Sequence, residues 1–135
     1  MVTEAFIDTN VLIYLLSPED FKRSVARTVV AAGGAVSVQV LNEFARVAQR
    51  KYGQGWDAIE DYVSGFREHL RIQPLTVETH LRALEIARAH QLGIFDANIL
   101  AAAELAGCET VWSEDMQDGF RVPSGPVIRN PFLVP

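Results

Sequence analysis

Apolar residues fall into two kinds of pattern along this chain: short dense runs, and longer stretches in which they recur every three or four positions. Dense runs at 5–7, 35–38, 109–113 and 127–129 have the length and composition of buried strands. Such near-continuous runs mark strands covered on both faces, as in the parallel sheet of an α/β fold. The first run, Ala5-Phe6-Ile7, ends abruptly in Asp8-Thr9-Asn10, which delivers Asp8 to a strand's C-terminal tip. In open α/β sheets ligands collect just outside those tips. Residues 71–75 suit a short edge strand, where Pro74 is tolerated.

The spaced stretches predict helices. A short one over 10–16 is stopped by Ser17-Pro18, because proline lacks an amide donor and disfavours helix in the residue before it. The next opens with Glu19 and Asp20, carries Phe21, Val25, Val29 and Val30 as its apolar stripe, and ends at Gly33-Gly34. Over 40–51, Leu41, Phe44, Val47 and Ala48 point inward while Glu43, Arg46 and Arg50 share another face; Glu43 is expected in the first turn after a strand. After Gly53-Gln54-Gly55, Trp56, Ile59, Val63, Phe66 and Leu70 recur at helical spacing as packing residues. Thr76 caps a helix to about 90, Gly93 closes the following turn, and an alanine-rich helix over 96–106 starts at Asp96 and stops at Gly107.

At 135 residues the chain is expected to form one domain over 1–135, able to bury a core without disulfides. The single cysteine, Cys108, lacks the neighbours of a zinc site and reads as a small buried residue in a reducing cytosol. Met1-Val2-Thr3-Glu4 carries no basic leader, and no apolar run approaches the roughly 18 residues of a membrane span, so a cytoplasmic protein without a membrane partner is expected. A net charge of −5 argues against duplex binding by charge alone.

Carboxylates recur at the junctions: Asp8, Glu43, Asp96, and the turn that carries Asp115 and Asp118. Each has an ordinary alternative. Asp8 and Asp96 can cap helices, Glu43 can pair with Arg46 or Arg50, and the last turn can be a polar loop. Brought together, however, they would repel unless protonated or bridged by a cation. Hard divalent cations such as Mg²⁺ and Mn²⁺ suit oxygen ligands of this kind and bring substrate phosphates with them. Thr9, Asn10 and Ser113 can orient those carboxylates or cap backbone. His69, His80 and His90 fall in helical segments, and neither a phosphate-binding glycine loop nor a serine elbow is present, so a metal would have to activate the nucleophile.

In order, Phe6-Ile7-Asp8-Thr9-Asn10-Val11-Leu12, Val40-Leu41-Asn42-Glu43-Phe44, Asp96-Ala97-Asn98-Ile99 and Trp112-Ser113-Glu114-Asp115-Met116-Gln117-Asp118-Gly119 resemble the motifs of PIN-domain ribonucleases, in particular VapC-type toxins. The resemblance implies a three-layer α/β/α sandwich around a central parallel sheet, with an acidic pocket for Mg²⁺ or Mn²⁺ and endonucleolytic cleavage of RNA. By position Asp8, Glu43 and Asp96 match the three core acids, and Asp115 matches a fourth position. Asp118 matches a further acidic position, as a ligand through water or as a structural cap. Ser113 falls where the family has serine or threonine. The implied reaction is attack on phosphorus by a metal-activated water, without the 2′-hydroxyl, leaving a 5′-phosphate. The implied partners are a VapB-type antitoxin lying across the site and a second copy in a homodimer.

Arg46, Arg50 and Lys51 are the basic residues expected to meet RNA, against the alternative of a local ion pair with Glu43. Two rival readings stand beside the nuclease. A phosphatase with Asp8 as nucleophile would favour an acid two positions on, where Asn10 stands, and a PIN-like scaffold binding RNA or protein without catalysis would not need the acids.

Overall fold

The computed structural model describes residues 4–133, so the expectations for Met1, Val2 and Thr3 and for the last two residues lie outside it. Five strands form one parallel sheet: β1 (Ala5–Ile7), β2 (Ala35–Ser37), β3 (Arg71–Gln73), β4 (Thr110–Trp112) and β5 (Val127–Arg129), in the order β3-β2-β1-β4-β5. The chain moves outward from β1 through β2 to β3, then returns to the other side of β1 for β4 and β5. With right-handed crossovers, that reversal puts α1 (Thr9–Ile13), α2 (Asp20–Ala31), α3 (Val38–Tyr52) and α4 (Trp56–His69) on one face. On the other lie α5 (Val77–His90) and α6 (Ile94–Leu105), packed against each other, with α6 on β2 and β4. The α/β sandwich inferred from the sequence is therefore the observed architecture. Phe6, Ile7, Val36, Val111 and Ile128 from the strands join buried side chains of both helical layers in one apolar cluster.

Local chemistry accounts for most boundaries. Ser37 ends β2 and caps α3, its hydroxyl accepting from the Val40 amide at 3.2 Å. The strand therefore enters the helix without a loop, and Glu43 stands in the second turn of α3 rather than the first. Thr76 and Thr79 make a reciprocal capping box for α5. Gly93, in extended conformation, caps α6, which begins at Ile94 and makes Asp96 its third residue rather than its first. The expected helix over 10–16 divides into α1 and a 3₁₀ turn at Tyr14–Leu16, the tighter geometry absorbing the stop imposed by Ser17-Pro18.

Two apolar residues expected to pack inward do not. Phe21 is 52% exposed and Trp56 62% exposed. In α2 the buried stripe runs through Ala26 and Val29, and Phe21 lies one position off its N-terminal continuation, about 100° around the helix. Trp56 is the first residue of α4, ahead of the turn that Ile59 buries. Cys108 is buried and unpaired, as expected. Among the described residues, no helix is long and apolar enough to cross a membrane.

Candidate active site

The register of the sheet builds the site. Ile7 pairs with Trp112, and the Asp8 amide donates to the Trp112 carbonyl at 3.0 Å, so the next residues on each strand, Asp8 and Ser113, emerge side by side. They do so between β1 and β4, where the strand order reverses, the place at which an open α/β sheet leaves a crevice.

Asp8 is buried, and its carboxylate is held by three donors. One oxygen accepts from the Thr9 amide at 2.7 Å, which makes Asp8 the cap of α1. The other accepts from the Ser113 hydroxyl at 2.9 Å and the Asn10 amide at 3.0 Å. Ser113 is saturated in turn, its oxygen accepting from Asn10 Nδ2 and the Met116 amide, each at 3.3 Å. Glu43 is oriented the same way: Thr9 Oγ1 donates to one oxygen at 3.0 Å and Gln39 Nε2 to the other at 2.9 Å. Thr9, Asn10 and Ser113, named in the sequence as possible orienting donors, each donate to a carboxylate. Gln39 was missed, although a glutamine four residues before a glutamate on a helix is a recognisable pair.

The acidic turn after β4 separates three residues that look alike in sequence. Asp115 faces the cleft, its Oδ2 3.4 Å from Asn10 Nδ2. Glu114 turns the other way, accepting from Tyr14 Oη and Lys22 Nζ, while its backbone amide donates to Asn10 Oδ1 at 3.0 Å. Asp118 accepts from the Asn130 amide at 2.7 Å, the structural-cap alternative.

Burial pushes the Asp8 carboxyl up to about 6, against the lowering effect of the Ser113 and Thr9 hydrogen bonds; the charges of Glu43 and Asp115 add to the rise. Asp96 is raised as well, by burial and then by Asp115 and Glu43. The four junction acids thus share one electrostatic neighbourhood. Among the described residues none of them forms an ion pair, whereas Glu4, Asp20, Glu85, Glu104 and Glu114 each do. Burial also pushes Glu114 up, but Lys22 and Tyr14 outweigh it and hold the carboxyl below its ordinary value.

That donor set, all hard oxygen and with no ion pair to a basic side chain among the described residues, fits a divalent cation. No three of the acids are drawn together as a ready-made cage among the described residues.

Glu43 lines two recesses, one on each side. The first, about 320 Å³, includes Thr9, Asn10, Tyr14, Lys51 and Asp115; the second, about 410 Å³, includes Gln39, Asn42, Arg46 and Phe95. Arg46 and Lys51 therefore flank the acids, whereas Arg50, exposed on the same helix, lines neither recess. The expected alternative of an ion pair between Glu43 and Arg46 or Arg50 is not formed.

Solved structures share this fold. The VapC20 toxin of Mycobacterium tuberculosis, described as cleaving the sarcin-ricin loop, is similar at a TM-score of 0.68 and 20% identity, over 82% of this chain and 89% of that one. A toxin–antitoxin complex from Klebsiella pneumoniae gives 0.69 and 23%, over 96% and 99%. The VapBC2 complex of Rickettsia felis, bound to a fragment of its promoter DNA, gives 0.67 and 16%, over 93% and 97%. No curated protein sequence matches significantly. The family model of the PIN domain matches residues 5–121, and the chain belongs to that family.

Proposed function

We propose that this chain is a divalent-cation-dependent endoribonuclease and the toxin of a toxin–antitoxin pair. The observation that carries the reading is the convergence of four acids from separate elements: Asp8 and Asp96 each feel the charges of Glu43 and Asp115, and none of the four has an ion-pair partner among the described residues. PIN-family membership and the toxin neighbours support it. Asp8, Asp96 and Asp115, with Glu43, would hold Mg²⁺ or Mn²⁺, which when bound supplies an activated water and neutralises charge developing at phosphorus.

The chain's own residues do the positioning. Ser113, Asn10 and the Thr9 amide hold Asp8 in one orientation; Thr9 and Gln39 hold Glu43. Such supporting donors typically matter by about 10–100-fold in metal affinity or activity. Arg46 and Lys51 meet backbone phosphates on either side of the acids. The partners are an RNA substrate, an antitoxin covering the cleft, and a second copy of the chain.

The test is cleavage of a single-stranded RNA panel by the protein and its Asp8→Asn variant, each in EDTA, Mg²⁺ or Mn²⁺. Cation-dependent cutting to 5′-phosphate ends is expected, reduced in the variant by more than the roughly 10–100-fold of a lost supporting residue. Equal cutting by the variant overturns the assignment of Asp8. Cutting by neither favours a PIN-like binding scaffold.

A further inference from the structure

We propose that a recess beside Phe95 is a base-binding subsite, seating one nucleobase of single-stranded RNA next to the phosphate held at the acids. The inference rests on the ribonuclease reading and names how that site selects its substrate. The recess measures about 230 Å³ and is lined by Gln39, Thr76, His80, Ile94, Phe95 and Asn98, with Leu75 at its edge. Gln39 and Phe95 also line the larger recess that holds Glu43 and Arg46, so the two recesses share a wall.

Phe95 is 65% exposed in the first turn of α6, immediately before Asp96. An aromatic face left in water beside an acidic cleft offers a stacking platform for any base. Because Phe95 also lines the recess that holds Glu43 and Arg46, a base stacked on the ring brings its own phosphate toward the acids. On the other wall, Gln39 spends its amide nitrogen on Glu43 and keeps its carbonyl as an acceptor. Thr76 is spent in the capping box. Asn98 is 9% exposed, and its Oδ1 is the one buried side-chain polar atom among the described residues without a hydrogen-bond partner. A half-turn of that amide exchanges donor and acceptor toward the recess.

Gln39, His80 and Asn98 therefore surround an apolar-walled space with unspent hydrogen-bonding groups, the lining expected for a planar polar ligand. An apolar side chain from a protein partner would leave those groups unsatisfied. The volume falls below the roughly 300–1,000 Å³ of ordinary ligand pockets, which suits a base with its sugar and phosphate left outside.

The test uses single-stranded RNA carrying 2-aminopurine, whose fluorescence is quenched by stacking, titrated into the Asp8→Asn protein so that the RNA is not cut. Adding Phe95→Ala is expected to weaken binding by about 5-fold to 100-fold and to remove the quench, while Phe95→Tyr restores both. Mn²⁺ affinity of the parent chain should be unchanged by Phe95→Ala. Equal binding and equal quenching with alanine, in a protein whose parent cuts RNA, overturn the subsite and leave the nuclease standing. An altered oligomeric state with unaltered RNA binding also overturns it and assigns Phe95 to an interface between copies. A parent that neither binds nor cuts RNA removes the ribonuclease reading, and the subsite with it.

Discussion

Asp8 caps α1 with one oxygen and accepts from Ser113 and Asn10 with the other, and its environment penalises the charge that both roles use. Burial and the neighbouring Glu43 and Asp115 raise its carboxyl from 3.8 to about 6. The folded chain thus holds this proton more tightly than the unfolded one. Asp8 accordingly favours folding most below about pH 4, loses that contribution as pH rises toward 6, and levels off above. The size is roughly 3 kcal/mol, since each pKa unit corresponds to about 1.4 kcal/mol. In cation-free buffer, urea melts from pH 4 to 7 should show Asp8→Asn gaining stability relative to the parent as pH rises. A difference that stays flat over that window would contradict the burial of charge at Asp8.

At this scale the sequence was informative where a polar residue interrupts an apolar pattern. Asp8, Asp96 and Asp115 stand at such breaks, and Glu43 close to one. It was uninformative between neighbours: Glu114 and Asp115 are both acidic, and only the turn's geometry sends one to Lys22 and Tyr14 and the other to Asn10. Phe95 gave no signal either, because helical spacing cannot distinguish an aromatic that packs from one that faces a cleft.

Among the elements, the entry into β2 is the tightest joint. Gly34 has φ +139°, and a Cβ built on it would lie 2.4 Å from the Ala5 carbonyl oxygen of β1. Gly33, at φ +84°, has open space around the same position. Gly33→Ala should therefore lose only the roughly 1–2 kcal/mol of a left-handed backbone. Gly34→Ala should lose more than about 2 kcal/mol, because β1 must move and Asp8 moves with it. Urea denaturation midpoints compare the two; equal losses would contradict the close approach. The paired glycines were legible as a helix stop, but the contact with β1 was not, since it depends on strand pairing.

A second joint fixes the acidic turn. Lys22 bonds Glu114 and lies 4.7 Å from the Tyr14 ring centre and 4.4 Å from that of Phe132, tying α2, the 3₁₀ turn and the C-terminal segment to the loop that carries Asp115. In the same helix phase Lys22 faces Glu114 while Phe21, one position earlier, turns outward. An apolar-stripe reading has no means of seeing that a lysine holds the inward position.

At the scale of the molecule, topology turns scattered acids into one site. Asp8 and Asp115 follow adjacent strands at the reversal of strand order, while α3 and α6, on opposite faces of the sheet, bring Glu43 and Asp96 to the same edge. The alternation of strands and helices makes this architecture readable in advance; which helix phase faces the cleft is settled by packing. Among the described residues the four acids at that edge have no ion-pair partner, so their negative charge is not neutralised by a bonded cation. The proposed nuclease requires this edge to hold a divalent cation. Calorimetric titration of Mn²⁺ into the parent chain, Asp8→Asn, Asp115→Asn and Asp118→Asn tests it most directly. Saturable binding is expected in the parent and in Asp118→Asn, whose asparagine still caps Asn130, with a loss of about tenfold or more in the other two. No saturable binding in the parent, or equal affinity in all four proteins, would contradict the account.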